Sequence, residues 1–291
     1  MQIGVVFPQT ELGGDPGVAR AYAAGVEEFG YRHILAYDHV LGADPAVHTG
    51  WGRGYTVHTT FHEPFVFFGY LAAITDLELV TGVIILPQRQ TALVAKQVAE
   101  LDLLSGGKFR FGVGLGWNAV EYEALDKEFT NRGRRIEEQV ALLRRLWSEE
   151  SVTFAGRWER VTGAGVNPLP IRRPIPIWFG GSSPAAWRRI GRLADGWFPQ
   201  SMPGRGLEEA LEIVNGAAKE AGRDPATVPF EGRVRWEPEG GTADLIDVVG
   251  RWEAAGASHL AVNTMDSGLT TVDDHLSVLA EVAKGLGLDR S

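Results

Sequence analysis

The chain contains no cysteine among its 291 residues, so disulfide bonds, thiolate metal sites and cysteine nucleophiles are all excluded. Positive charge is also scarce: 28 Lys and Arg residues stand against 37 Asp and Glu residues, and the net charge of −9 argues against a nucleic-acid partner. No apolar run reaches membrane-spanning length, and the first residues begin directly as a strand rather than as a secretory signal. These absences predict a cytoplasmic protein that binds neither nucleic acid nor a membrane.

Strand-like apolar runs alternate with amphipathic helical stretches along the chain, and the hydrophobic fraction of 44% supplies a sizeable core. Eight strands are predicted, each followed by a helix: 3–7, 33–37, 77–86, 109–113, 175–179, 196–198, 230–236 and 259–263. Eight such α/β units favour a parallel (β/α)8 barrel, the TIM-like fold. A doubly wound open sheet is the alternative that produces the same pattern.

Two segments interrupt this alternation. A polar and aromatic stretch, residues 42–63, follows strand 2, and a short β-hairpin is predicted within residues 151–165, before strand 5. The expected architecture is therefore a single barrel domain over residues 1–291, with insertions after strand 2 and before strand 5. Because the active sites of such barrels lie at the C-terminal ends of the strands, only a few short segments are candidates for the chemistry.

The end of predicted strand 2 carries Asp38 and His39. A histidine beside a carboxylate at a strand C-terminus is suited to proton transfer near neutral pH. A histidine that hydrogen-bonds a loop carbonyl fits the same pair equally well. His39 is the candidate catalytic residue, and Asp38 either orients it or binds a cofactor directly.

No metal site is predicted. Of the histidines in the first insertion, His48, His58 and His62 lack a compact ligand spacing, and no HExxH motif occurs. A structural role or a role in covering the substrate is favoured for these residues.

Glycines mark the ends of strands 3 and 4. Gly82 lies inside strand 3, where a glycine indicates a bulge or a close approach of a ligand to the backbone, and packing against a helix fits equally well. Three glycines follow at alternate positions, Gly112, Gly114 and Gly116. They expose the backbone on one face of a strand end, which suits a flat ligand or a phosphate.

A further glycine turn follows strand 5. Gly180, Gly181 and Ser182 precede a helix whose first residue is Pro184. Backbone N–H groups at a helix N-terminus favour an anion, so a phosphate site is preferred over a plain tight turn.

Together these segments resemble the luciferase-like monooxygenase superfamily, and within it the branch that uses the deazaflavin coenzyme F420. Residues 78–123 carry most of the resemblance, through the segments Thr81-Gly82-Val83, Leu86-Pro87-Gln88-Arg89, residues 101–109, residues 112–117 and Glu121-Tyr122. Supporting matches are Asp38-His39, residues 176–181 and residues 194–197. The resemblance covers essentially the whole chain, and Leu-Ser-Gly-Gly-Lys followed by the spaced glycines is its most specific part.

The resemblance implies a ring system in the barrel mouth, supported by a bulge with a non-prolyl cis peptide at Gly82–Val83. It also implies that the phosphate of the cofactor lies at residues 180–182. The expected site residues are His39 as the catalytic residue and, as cofactor-binding residues, Asp38, Thr81, Gly82, Val83, Gly114, Gly116, Trp117, Gly180, Gly181 and Ser182.

Two positions depart from the pattern of the sugar-phosphate dehydrogenases of that branch. Trp117 stands where those enzymes carry a catalytic acid, and residues 40–42 stand where they carry a tryptophan. These departures argue against sugar-phosphate oxidation and favour reductase or monooxygenase chemistry on an apolar substrate.

The predicted function is that of an F420-dependent oxidoreductase that transfers a hydride between the deazaflavin and a small organic substrate, in an expected homodimer. The alternative is an FMN-dependent monooxygenase that uses reduced flavin and oxygen. A barrel lyase or aldolase is disfavoured, because no lysine lies at a predicted strand end. A non-catalytic cofactor-binding protein fits the same motifs.

Overall fold

Parallel strands form a nearly closed barrel in the computed structural model, which describes residues 1–52 and 54–288. Arg53, inside the first predicted insertion, and residues 289–291, at the end of the predicted domain, lie outside the described residues. The strands are β1 (Gln2–Val6), β2 (His33–Ala36), β3 (Glu78–Thr81), β4 (Ile84–Ile85), β5 (Phe109–Gly114), β6 (Val152–Ala155), β7 (Arg160–Ala164), β8 (Ile177–Gly180), β9 (Gly196–Phe198), β10 (Glu231–Arg235) and β11 (His259–Asn263). The helices are α1 (Pro16–Glu28), α2 (Pro64–Leu71), α3 (Thr91–Leu104), α4 (Ala119–Ala124), α5 (Arg132–Ser148), α6 (Pro184–Leu193), α7 (Arg205–Glu220), α8 (Gly241–Ala254) and α9 (Val272–Leu286).

The barrel wall follows the order β10-β11-β1-β2-β3-β5-β8-β9, and its ladders are parallel. Strand β4 continues β3 after a two-residue interruption and pairs with β5. The wall closes between β9 and β10 through a bridge from Trp197 to Phe230. The predicted TIM-like barrel is confirmed, and the antiparallel β6–β7 hairpin confirms the insertion before the fifth barrel strand.

Local sequence signals set the starts of the helices. Asp15 accepts a hydrogen bond of 2.7 Å from the N–H of Gly17 and so caps α1. Thr271 and Asp274 form a reciprocal capping box at the start of α9. None of the helices in residues 1–52 and 54–288 is long and apolar enough to cross a lipid bilayer.

Alternate residues of each strand point to opposite sides of the wall, because side chains in a strand repeat every two positions. The outer set, which includes Val5, Ile34 and Leu79, packs against the surrounding helices in one large cluster. The inner set forms a separate cluster, Val6, Leu35, Val80, Trp178, Phe198, Ala261 and Met265. Tyr37 and Val83 pack against this inner cluster. The barrel is therefore filled by side chains below its mouth.

The N-terminal ends of the strands hold a buried charged network inside the barrel, which we call the floor network. Arg110 of β5 contacts the carboxylate of Glu231 and lies 2.8 Å from that of Glu78, and its guanidinium lies 4.6 Å from the centre of the Trp178 ring. Nε2 of His33 lies 3.1 Å from Oε1 of Glu231. These groups satisfy one another's charge and close the end of the barrel opposite its mouth.

Candidate active site

The interruption between β3 and β4 lies at the C-terminal mouth of the barrel, and the peptide bond between Gly82 and Val83 is cis, as the resemblance implied. The side chain of Val83 lies over the backbone of two glycines. A Cβ atom at Gly114 would lie 2.6 Å from Cγ2 of Val83, and one at Gly180 would lie 3.3 Å from Cγ1. We call Val83, Gly114 and Gly180 the platform. Side chains at these two positions would fill the space around Val83. Because glycine has none, that space stays free, and the platform fits a flat ring.

Beyond β5 the chain turns at Gly116, whose φ of 65° lies in the left-handed region that glycine adopts readily. The turn directs Trp117 toward the first insertion. The centre of its ring lies 5.7 Å from that of His39 and 5.5 Å from that of Trp51. Trp117 therefore belongs to an aromatic wall beside the candidate catalytic histidine.

His39 is held by Glu121 and not by Asp38. Nδ1 of His39 lies 3.2 Å from Oε1 of Glu121, and the histidine side chain is 13% exposed. The same carboxylate oxygen accepts the N–H groups of Val40, at 2.9 Å, and Leu41, at 3.3 Å. The expectation that Asp38 orients His39 is wrong, because consecutive side chains of extended backbone point to opposite sides.

Glu121 is buried, and its second oxygen accepts a bond of 3.1 Å from Nε2 of Gln88. Burial alone would raise the pKa of Glu121, but the hydrogen bonds from His39 and Gln88 outweigh it, and the pKa is lowered. The carboxylate is therefore ionised and only accepts, so we assign the proton of the imidazole to Nδ1. Nε2 of His39 is then left to exchange a proton with a ligand.

Asp38 ties the end of β2 to the segment that follows β3. Its Oδ2 accepts the N–H of Ile85 at 3.0 Å, and its Oδ1 accepts Nη2 of Arg89 at 2.8 Å. Arg89 also donates to Glu63, at 2.8 Å, just before α2. The buried carboxylate thus fixes one side of the mouth. The predicted contact of Asp38 with a cofactor stays a prediction, and it would be made by the backbone of Asp38, because the carboxylate is already engaged.

The hydroxyl of Thr81 is engaged within the barrel wall. It accepts the N–H of Gly112 at 2.8 Å and donates to the carbonyl of the same residue at 2.9 Å. A Cβ atom at Gly112 would overlap the carbonyl oxygen of Thr81. The side chain of Thr81 therefore joins β3 to β5 below the platform, and its expected contact with a cofactor stays a prediction.

The turn between β8 and α6 leaves the start of a helix open to solvent. Ser183 caps α6 by accepting the N–H of Ala186 at 3.3 Å, and Ser182 is exposed. A Cβ atom at Gly181 would lie 2.6 Å from Cβ of Ala186, so the turn packs closely against the helix. The N-terminus of a helix attracts anions. The predicted phosphate contact of residues 180–182 fits this geometry and stays a prediction.

The first insertion covers one side of the mouth. The rings of Tyr55 and Phe61 are centred 4.9 Å and 4.7 Å from that of His39. Tyr55 also borders a cavity of about 680 Å³, which is lined by Thr10, Glu11, Gly54, Tyr55, His58, Thr59, Trp117 and Asp266. Its size suits a small organic substrate. His62 stacks on Phe67 at 4.8 Å, in the structural role expected for it.

Sequence reasoning did not single out Glu121, the partner of His39, or Arg233, an interior cation of β10, although each has a sequence signal. Glu121 is the third residue of α4, which follows β5 after the cap residue Asn118, so its side chain turns back to the mouth. Arg233 lies between Glu231 and Arg235 at alternate positions of β10. Alternate residues share a face, and helices cover the outer face of a parallel barrel, so this charged pattern belongs to the interior.

A family model described as luciferase-like monooxygenase matches residues 1–235. The F420-dependent hydroxymycolic acid dehydrogenase of Mycobacterium tuberculosis is 31% identical over 259 residues, which is 87% of this chain and 64% of that protein. The FMNH2-dependent dimethylsulfone monooxygenase of Pseudomonas fluorescens is 32% identical over 161 residues, 54% of this chain and 44% of that protein. The solved structure of an F420-dependent secondary alcohol dehydrogenase with an F420-acetone adduct superimposes with a TM-score of 0.78 at 18% identity, covering 97% of both chains. That likeness concerns the fold alone.

Proposed function

The chain belongs to the luciferase-like monooxygenase family and is an oxidoreductase, and we propose that it transfers a hydride between coenzyme F420 and a small organic substrate. The observation that carries the proposal is the arrangement of the platform and the His39–Glu121 pair around one barrel mouth. F420 is favoured over FMN because the F420-dependent relative aligns with 87% of the chain and the FMNH2-dependent one with 54%.

The residues of the mouth would hold the cofactor at two places. The platform would support one face of the ring, and residues 180–182 with the start of α6 would bind the phosphate. Bound F420 supplies a carrier of two electrons as hydride.

His39 provides the proton that hydride transfer requires. When a carbonyl carbon gains a hydride its oxygen needs a proton, and an alcohol oxidised in the opposite direction must lose one. Glu121 fixes the imidazole through Nδ1 at 3.2 Å, so Nε2 is the atom that donates or accepts. The surrounding rings of Tyr55, Phe61 and Trp117 limit the access of water to that atom.

An FMN-dependent monooxygenase is the second candidate function. The family description and the similarity to the dimethylsulfone monooxygenase favour it. The platform and the turn at residues 180–182 would hold FMN in the same way, so the choice of cofactor separates the two candidates.

A side-by-side titration tests this choice. We expect the protein to bind F420 at least about tenfold more tightly than FMN, which corresponds to about 1.4 kcal/mol. Quenching of tryptophan fluorescence measures both affinities under the same conditions. Equal affinities, or tighter binding of FMN, would replace the proposal by the monooxygenase alternative.

The phosphate contact is tested by Ser182→Asp. A carboxylate at this exposed position would repel an anion at the start of α6, and we expect the affinity for F420 to fall about 10- to 100-fold, in line with the value of hydrogen bonds to a charged group. The neutral variant Ser182→Asn is the matched control and should bind F420 nearly as the unmodified protein does. The phosphate-free analogue 8-hydroxy-5-deazariboflavin should bind both variants equally. An equal loss of the analogue and of F420 in Ser182→Asp would place the phosphate elsewhere.

A further inference from the structure

Strand β10 directs three charged side chains toward the barrel interior, and two of them have a partner of opposite charge. Glu231 is paired with Arg110 and His33 in the floor network. Nε of Arg235 lies 3.1 Å from Oε1 of Glu237. Arg233, between them, has no carboxylate within 4.0 Å among residues 1–52 and 54–288.

Two neutral groups hold the guanidinium of Arg233 in place. Nη1 donates to the hydroxyl of Tyr37 at 3.0 Å, and Nη2 lies 3.3 Å from Oε1 of Gln200. Its Cζ lies 5.5 Å from the centre of the Tyr37 ring. These contacts fix the half-buried guanidinium with neutral acceptors, while Glu231 favours its positive charge from more than 4.0 Å away.

Arg233 lies on the wall opposite the platform. In the order of the eight-stranded wall, β10 is four strands from β3 in either direction, and Val83 follows β3 directly. A ring resting on Val83 would turn its other face toward β10. A substrate bound between that ring and the opposite wall would meet Arg233.

Tyr37 adds a second donor at the same place. Because its hydroxyl accepts from Arg233, the hydroxyl proton is left for another acceptor. A guanidinium and a phenol that converge in this way match the two oxygens of a carboxylate. Of the two acidic residues that line the cavity, Asp266 is exposed, where water and salt screen its charge. Glu11 is half-buried, and its carboxylate accepts hydrogen bonds from the hydroxyl of Thr10 and the N–H of Asp266.

We propose that Arg233, with Tyr37 and Gln200, binds a carboxylate group of the substrate, so that the substrate is an organic acid with an apolar body. The inference rests on the proposed function, since it takes the cofactor ring to lie on the platform. It revises the expectation of an apolar substrate. Arg233 is a specificity-determining residue in this scheme, and His39 acts on the atom that reacts.

Benzoate and benzamide are the probes that test the proposal, because they share shape and differ in charge. Each is titrated into the protein with and without F420, by calorimetry and by the change in the visible spectrum of bound F420. We expect benzoate to bind at least about tenfold more tightly than benzamide. Equal affinities, or no binding of benzoate at tens of millimolar, would overturn the proposal. This test uses the unmodified protein and does not depend on any variant.

Variants of β10 show which residue causes the preference for benzoate over benzamide. Arg233→Met should remove this preference. Arg233→Lys should keep part of it, because the positive charge remains while the planar guanidinium is lost. Arg235→Met removes a cation from the same strand that is already paired, and should keep the preference. A preference that survives Arg233→Met, or that is lost equally in Arg235→Met, would contradict the assignment. The affinity for F420 is measured in each sample, so failure of the cofactor proposal is seen separately from failure of the carboxylate site.

Discussion

Replacement of His39 by alanine is expected to lower turnover by about 10²- to 10⁴-fold, the usual contribution of a positioned acid or base. The affinity for the cofactor should change little, because the platform and residues 180–182 do not include this side chain. The reason for the loss is geometric: the His39–Glu121 hydrogen bond of 3.2 Å aims Nε2 into the mouth, and alanine leaves no group there to exchange the proton.

The measurement separates binding from chemistry. Cofactor affinity is measured by fluorescence titration, and the rate is the single-turnover oxidation of bound reduced F420 by a quinone such as menadione. His48→Ala removes a histidine of the first insertion, residues 42–63, that contacts Trp51 and is no part of the His39–Glu121 pair, so it should keep the rate. If His39→Ala lost cofactor affinity and bound enzyme still reacted at the full rate, His39 would be a packing residue only.

Replacement of Glu231 by glutamine is expected to lower the free energy of unfolding by about 3–5 kcal/mol, as for other buried ion pairs that lose one partner. The change leaves Arg110 inside the barrel without one of its two carboxylates, and it puts an NH2 group, which cannot accept, in place of one of the two oxygens that face His33 and Arg110. Urea unfolding at neutral pH measures the difference. Glu149→Gln breaks a pair whose side chains are both 40% exposed, and should lower the free energy of unfolding far less. A loss from Glu231→Gln as small as this would show that the floor network adds little to stability.

The pH dependence gives a second test of the same residue. Burial alone would raise the pKa of Glu231, but Arg110 and His33 hold it at about 2. The unfolded chain titrates this group near 4.3, so its contribution is complete above that pH and is lost as the pH falls toward about 2. Unfolding of Glu231→Gln should therefore depend less on pH across this window than unfolding of the unmodified protein.

The sequence predicts the fold well because the barrel depends on the order and length of apolar segments. All eight barrel strands and both insertions lie where the alternation indicates. The floor network is beyond that reasoning, because the apolar pattern does not show which charged residues of different strands meet. Arg110 and Glu231 are 121 residues apart, and only the parallel register brings them together.

The backbone features of the candidate site were predictable from the sequence, whereas the hydrogen-bond partners of its side chains were less so. The cis peptide at Gly82–Val83 and the glycines around it follow from the resemblance. The partner of His39 does not, because the adjacent Asp38 is the natural choice by sequence, whereas Glu121 comes from a helix 82 residues further along.

The closure of the barrel between β9 and β10 has a consequence for how the wall opens. Trp197 and Phe230 form the only bridge at this seam in the described part of the chain, whereas β1 and β11 are paired along their full length. Local opening costs least where the fewest hydrogen bonds break. The barrel wall therefore opens most easily between β9 and β10. Arg233 and Gln200 lie on the two sides of this seam, and the 3.3 Å contact between their side chains holds the two sides together at the mouth.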